Sequence, residues 1–376
     1  MKIDKLADFS DPSLCHRLVV KIGSALLVDD DGEIRTEWLR TVIEDVREAR
    51  DRGQEVVIVS SGSIAIGAKK LGFFGKRRSL SEAQASAAVG QITLASTWSD
   101  LLAEQGMTAA QMLLTLDDFE GRRRYLNASS TFGRLLKSSV VPVVNENDSI
   151  ATGEIRFGDN DRLAARVAQS CSADGVILLT DVDGLYDKHP NEPDATRLEK
   201  VHGVTEEIQA MADSESGSDV GTGGMTAKLL AAQIAERAGI ALAIVDGSHR
   251  KPLTYAAENT SGTLFLPKRD DSAYKAWIGG RMRFNGSITV DDGCASALHD
   301  GRSLLAAGIV KVDGDFERGD VITIHDLVGR MIAKGMTEYD AEDCDAIKGK
   351  QNSKQEAILG HTPRSAVIHR DQLVLL

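Results

Sequence analysis

Residues 17–24 read Arg17-Leu18-Val19-Val20-Lys21-Ile22-Gly23-Ser24, a short β-branched apolar run that carries one lysine and stops at a Gly-Ser pair. A run of this kind, with no polar face, suits a strand buried on both sides of a sheet. Four further runs have the same character: 55–60 (EVVIVS), 140–144 (VVPVV), 176–180 (VILLT) and 241–245 (ALAIV). Between them lie segments of helical period. From Thr36 to Arg52, Leu39, Val42, Ile43 and Val46 share one face, with Thr36 placed to cap the start and Gly53 to end it. Residues 161–171 and 225–238 read the same way. Strands alternating with helices predict an α/β fold whose mostly parallel sheet is covered by helices on both faces, and the alternation holds to about residue 265.

The stretch 267–280 (PKRDDSAYKAWIGG) is charged and turn-rich, and beyond it the pattern changes to short strands with close turns. Strands are expected at Ser287 to Val290, Ile309 to Val312, Asp320 to Ile324 and Ala366 to His369, with turns at Asp291-Asp292-Gly293 and Asp313-Gly314. The expected organisation is an α/β domain over 1–267, a linker over 268–280, and a small, mainly β barrel over 281–376.

A length of 376 residues agrees with two domains, and 42% hydrophobic with 27% charged residues is the balance of an ordinary folded chain. The net charge of −12 argues against a protein that coats nucleic acid through a global basic surface. No apolar run approaches the roughly 18 residues of a membrane span, and Met1-Lys2-Ile3-Asp4 lacks the apolar core of a signal peptide, so the expected location is the cytoplasm, with no membrane partner. Cys15, Cys171, Cys294 and Cys344 are scattered, and the eight His residues show no metal-ligand spacing, so neither a zinc site nor a disulfide framework nor any protein-bound metal centre is expected.

In open parallel sheets, ligands bind at the carboxyl ends of strands. There this sequence is polar and glycine-rich: Lys21-Ile22-Gly23-Ser24 after the first strand and Ser60-Ser61-Gly62-Ser63 after the second. Glycines let backbone N–H groups approach a phosphate, although each loop alone also reads as a structural turn. Asn145-Glu146-Asn147-Asp148 follows the third of these runs, and Gly158-Asp159-Asn160-Asp161 opens a helix shortly afterwards. One such acidic cluster is explained by an Asx-turn or an N-cap. Two together point to carboxylates and amides that hold an ammonium group or position lysines and Mg²⁺ around a phosphate. Thr180-Asp181-Val182-Asp183-Gly184 ends the next strand, and Gly221-Thr222-Gly223-Gly224-Met225-Thr226-Ala227-Lys228 precedes a helix, with Lys228 able to reach transferring phosphoryl oxygens. Neither G-x-x-x-x-G-K-[ST] nor G-x-G-x-x-G occurs, so an ATP site must be of a third kind. No Ser-His-Asp or Cys-His setting is recognisable, and transfer to a substrate carboxylate needs no enzyme nucleophile.

Taken in order, VVKIGS, VSSGSIAIG, VPVVNEND, GDNDRLAA, LLTDVDGLY and GTGGMTAK resemble the successive motifs of the amino acid kinase family, and the tail, from GSITVDDG through SLLAAGI and FERGDVI, resembles a PUA domain. The resemblance spans essentially the whole chain. It implies ATP-dependent phosphorylation of an amino acid's side-chain carboxylate, with L-glutamate becoming γ-glutamyl phosphate at the start of proline synthesis. It further implies that Lys21 and Lys228 contact ATP phosphates and stabilise the transferring group, and that Asp161 orients both lysines. Thr180, Asp181 and the loop Thr222, Gly223, Gly224, Met225, Thr226, Ala227, Lys228 would hold the nucleotide. Ser61, Asp148 and Asn160 match glutamate-binding positions, with Asp159 supporting the substrate loop. Mg²⁺ is implied as the ATP complex, a γ-glutamyl phosphate reductase as partner, and a homo-oligomer as the assembly. Two departures are visible: Ala227 stands where a hydroxyl residue commonly precedes the lysine, and Ala306 replaces a common proline. The competing expectations are a kinase of the same fold acting on acetylglutamate or aspartate, and an RNA-binding protein acting through the tail, which the tail's acidic balance disfavours.

Overall fold

The computed structural model describes residues 3–73, 79–120, 122–150, 159–213, 224–267, 284–364 and 366–376. The chain divides into two units, Met1–Glu120 with Ala128–Asp270, and Gly121–Asn127 with Asp271–Leu376. Residues 268–280, read as a linker, lie outside the described residues.

The first unit is built on eight strands: β1 (Arg17–Ile22), β2 (Glu55–Val59), β3 (Thr108–Leu114), β4 (Val140–Glu146), β5 (Gly175–Thr180), β6 (Lys200–His202), β7 (Ala241–Asp246) and β8 (Thr263–Leu266). They lie in the order β3-β4-β2-β1-β5-β7-β8-β6. Every pairing is parallel except β7 with β8. The apolar runs are continuous because alternate residues serve opposite faces. Leu18, Val20 and Ile22 pack with Leu39, Val42 and Ile43 of the helix Thr36–Asp51. Val19 packs instead with Leu163 and Val167 of the helix Asp159–Ser170 and Leu229 of the helix Gly224–Arg237. Each fully buried Val, Leu or Ile side chain contributes about 1.5–3 kcal/mol. The chain builds β2 to β4 on one side of β1 and then crosses to β5 on the other, so β1 stands where the strand order reverses.

Several details differ from the sequence reading. Thr36 is the first helical residue rather than the cap: Arg35 takes the N-cap position, and the Thr36 hydroxyl donates back to Ile34 O at 3.3 Å. Gly53 does end the helix, in a left-handed turn at φ +94° with its N–H donating to Arg50 O. Strand β3 escapes a search for continuous apolar runs because it sits at the sheet edge, where its burial is partial and interrupted. Strand β4 continues through Asn145 and Glu146, which places the first half of the Asn-Glu-Asn-Asp motif in the sheet.

The second unit carries β9 (Gly286–Val290), β10 (Ile309–Gly314), β11 (Val321–His325), β12 (Met331–Met336) and β13 (Leu373–Leu375) in the order β10-β9-β11-β12-β13. Ile288, Val290, Phe316, Ile322 and Ile324 form its core. Helices at Asp292–His299, Ala341–Ile347 and Asn352–Leu359 accompany the strands. The expected turn at Asp291-Asp292-Gly293 is instead a helix start, with Asp291 Oδ1 accepting from Cys294 N at 2.7 Å. The expected strand at Ala366 to His369 is reduced to an isolated bridge between Ile368 and Leu304. No helix among the described residues is long and apolar enough to cross a membrane.

In the first unit the helices Ser63–Lys70 and Leu80–Glu104 cross at backbone contact. A Cβ added at Gly67 would collide with Ser86 O, and one added at Gly90 with Ser63 O. Gly90→Ala should therefore destabilise by roughly 1–3 kcal/mol through overpacking. Gly133, on the helix Arg122–Lys137, has no neighbour within 4 Å of an added Cβ, and Gly133→Ala should stabilise by roughly 0.5–1 kcal/mol. Urea unfolding of both variants checks this pair, and equal stability changes in the two would contradict the close crossing.

Candidate active site

Lys21 sits near the carboxyl end of β1, opposite Val59 of β2 and Leu178 of β5. It shares the Val19 face, which the helices Asp159–Ser170 and Gly224–Arg237 cover, and each helix brings one charged residue to it. Lys21 Nζ lies 2.5 Å from Asp161 Oδ1, and Lys228 Nζ lies 3.2 Å from Asp161 Oδ2. All three are buried, Lys21 at 6%, Asp161 at 1% and Lys228 at 7% exposure, so the pairing is sheltered from solvent screening. Burial drives the Lys21 ammonium below its ordinary value, and Asp161 only partly restores it, with Lys228 opposing. For Asp161 burial acts upward, but the two lysine charges outweigh it and the carboxyl lies below its usual range. One carboxylate thus serves two ammonium groups, and the triad keeps a net positive charge.

A cleft of about 160 Å³ opens over this triad, lined also by Gly23, Ser24 and Thr180. Gly23 N donates to Leu179 O at 3.1 Å, which ties the loop after β1 to β5. Thr180 is buried and its hydroxyl donates to Asp181 Oδ1 at 3.0 Å, while the Asp181 carboxylate itself is exposed at the rim. Gly224 opens the helix whose first turn faces the cleft, and Lys228 also donates to Gly224 O at 3.4 Å. A cationic cleft beside a glycine loop and a helix N-terminus is fitted to anionic oxygens.

Next to it the loop after β2 turns through Gly62 at φ +100°, where a side chain would be strained and would press on Leu27 and Val28. This turn presents Ser60, Ser61 and Ser63, all buried. Asn160 Nδ2 donates to Ser61 Oγ at 2.8 Å, and to Ser60 O and Asn145 Oδ1 at 3.3 Å. Ser63 Oγ donates to Asp148 Oδ2 at 3.4 Å, and Asn145 Nδ2 donates to Gln91 Oε1 at 2.7 Å. Trp98 Nε1 holds Ser60 Oγ at 2.9 Å. Asn160 Oδ1 is buried with no hydrogen-bond partner among the described residues, an acceptor left for a ligand. A second cleft, of about 310 Å³, borders Asp148, Ser63 and Gln91.

The residues read from sequence thus fall into two adjoining groups. Lys21, Asp161, Thr180, Asp181, Gly224 and Lys228 line one cleft, and Ser61, Asp148 and Asn160 meet in the polar network beside it. Asn160 and Asp161 are consecutive, so one helix start supplies both. Met225 and Ala227 are buried, Met225 in the sheet-facing core, whereas Thr226 is exposed; none of these three side chains lines the cleft. Thr222, Gly223 and the side chain of Asp159 lie outside the described residues. Sequence reading missed Gln91 and Trp98, which sit on a long helix with no motif of their own. Nothing sets Gln91 apart from the other polar residues of that helix, Gln84, Thr93 and Thr97 among them, and Trp98 reads as an ordinary core aromatic.

The family model of the amino acid kinase family matches residues 16–246, and that of the PUA domain matches residues 286–359. Glutamate 5-kinase of Novosphingobium aromaticivorans is 58% identical, covering 100% of both chains. Glutamate 5-kinase of Sphingopyxis alaskensis is 53% identical over 97% of this chain and 99% of its own. That of Zymomonas mobilis subsp. mobilis is 50% identical over 97% of this chain and 92% of its own. With a mostly parallel sheet, a lysine-aspartate-lysine cleft where its strand order reverses, and relatives that match from end to end, the chain belongs to the amino acid kinase family and carries a PUA domain at its carboxyl end.

Proposed function

We propose that the chain transfers the γ-phosphoryl group of ATP to the γ-carboxylate of L-glutamate, forming γ-glutamyl phosphate and ADP in the cytoplasm, the first step of proline synthesis. The observation that carries this reading is Asp161 shared by Lys21 and Lys228, directly beside the Asn160–Ser61–Asp148 network. Full-length relatives named glutamate 5-kinase support the choice of acceptor.

In the reaction a carboxylate oxygen of glutamate attacks the γ-phosphorus and the bond from that phosphorus to the β,γ-bridging oxygen breaks, so the electron pair leaves on ADP. The acceptor is already ionised, and no general base is needed. Charge gathers on the transferring oxygens and on the leaving phosphate, where two buried ammonium groups held by Asp161 act without reorganising. Asp161 fixes their separation and favours the charged form of Lys21 against the effect of burial. On the substrate side, the unpartnered Asn160 Oδ1 and the Asp148 carboxylate suit the α-ammonium, and Ser61, whose oxygen accepts from Asn160, can turn its hydroxyl hydrogen to a substrate carboxylate. Among the described residues no group of three His, Cys, Asp or Glu is arranged to hold a metal ion. Magnesium would enter as the companion of the nucleotide phosphates, and the lysines carry the protein's share of charge stabilisation. The product is an acyl phosphate, prone to hydrolysis, which suits a γ-glutamyl phosphate reductase as the partner that consumes it. Exposed Ile92 and Leu113, beside one cleft at edge strand β3, support a homo-oligomer.

The purified chain given glutamate, ATP and magnesium should form a product that hydroxylamine traps as a hydroxamate. Hydroxamate from aspartate or acetylglutamate but not from glutamate would reassign the acceptor. Lys228→Met should lower kcat by about 10²- to 10³-fold with a smaller change in ATP KM, as expected for charge stabilisation of the transition state; an unchanged kcat would remove Lys228 from transfer. Asp148→Asn and Asn160→Ala should raise the glutamate KM far more than the ATP KM. Equal effects on both substrates in steady-state kinetics would contradict the division of the site.

A further inference from the structure

We propose that Gln91 is a positioning residue that, with the backbone groups of Ser60 and Glu146, holds the amides of Asn145 and Asn160 in place at the substrate side. This rests on the glutamate-binding reading of the Asn160 network and deepens it. Gln91 Oε1 accepts from Asn145 Nδ2 at 2.7 Å, and the same amide group reaches Ser63 Oγ at 3.3 Å. Both donors of Asn145 are thereby assigned, which turns its Oδ1 to the other side. There Oδ1 accepts from Glu146 N at 2.9 Å and from Asn160 Nδ2 at 3.3 Å. Asn160 Nδ2 is in turn committed to Asn145, Ser61 and the Ser60 carbonyl. What remains is Asn160 Oδ1, buried and unpartnered.

The relay is a matter of sign. A side-chain amide has a donor end and an acceptor end, and the low-dielectric interior makes a mismatched end costly. If Asn145 turned over, its donor end would face the donor end of Asn160, which Ser60 O and Ser61 Oγ hold the other way round, and the two amides would be driven apart. The acceptor offered to the substrate's ammonium group would then be displaced. Gln91 is the first acceptor in this chain, and its neighbour Gly90 leaves no room for a Cβ against the Ser63 carbonyl, so the helix Leu80–Glu104 meets the loop after β2 at backbone contact. The glycines bring the helices together, and the glutamine reads out that contact as an amide orientation.

The relay requires an acceptor at position 91, not merely a side chain of that length. Gln91→Met keeps the shape and removes the acceptor; Gln91→Glu keeps an acceptor oxygen. In the full chain, Gln91→Met should raise the glutamate KM by roughly tenfold, the scale of one buried amide donor left unsatisfied. The ATP KM and kcat should stay within about twofold. Gln91→Glu should return the glutamate KM to within about threefold of the unmodified chain, a rescue that a packing role would not produce. Hydroxamate formation with glutamate by the unmodified chain is measured first, and its absence overturns the underlying substrate reading. Given that activity, a Gln91→Met glutamate KM within twofold of the unmodified chain, or equal losses in Gln91→Met and Gln91→Glu, overturns the relay. Thermal melting of both variants shows that they are folded when compared.

Discussion

A buried aspartate between two buried lysines is the constraint on which the first unit depends. Two ammonium groups and one carboxylate cannot be withdrawn from water without strong mutual pairing, and removing one member would strand an uncompensated charge. The fold meets that demand by topology. Strand β1 supplies Lys21, and the two helices packed on the same face supply Asp161 and Lys228, from positions 67 residues apart in sequence. The formal positive charge left over suits the cleft to anionic oxygens, the phosphates of the proposed reaction. Stability and function draw here on the same electrostatics, since a site perfectly neutral in itself would not need the nucleotide.

The second cluster is organised by hydrogen bonding instead of charge. Ser60, Ser61, Ser63, Asn145 and Asn160 are joined in one hydrogen-bonded network, in which Asn160 Oδ1 is buried without a partner among the described residues. The adjacency of Asn160 and Asp161 couples the clusters: one helix N-terminus carries an amide into the polar network and a carboxylate to the lysines. In the proposed reaction, acceptor and donor sites on a single rigid element would favour a near-attack arrangement.

Most of this was legible in the sequence because buried parallel strands write themselves as continuous apolar runs, and the loops that follow them stand out as polar. Lys21, Ser61 and Asp148 are each at or just beyond such a boundary, while Asn160, Asp161 and Lys228 stand near the start of a helix. Strand β3 was not legible, since an edge strand is only partly buried and loses the continuous run. Asp291 was read as a turn residue because the same side chain that caps a helix also initiates a turn. Gln91 was invisible for a different reason. Its role depends on a helix crossing fixed by Gly67 and Gly90, a contact in space that no local pattern announces. The sequence also gave no sign that Gly121–Asn127 groups with the carboxyl-terminal unit.

The central claim is that Asp161 organises the two lysines for transfer rather than merely neutralising them. The most direct measurement is the single-turnover rate of phosphoryl transfer in Asp161→Asn, set beside its ATP dissociation constant and its circular dichroism as a check of folding. The account predicts a transfer rate lower by about 10²- to 10³-fold in a folded protein whose ATP affinity changes by only a few-fold. A folded Asp161→Asn variant that transfers at the rate of the unmodified chain would contradict it.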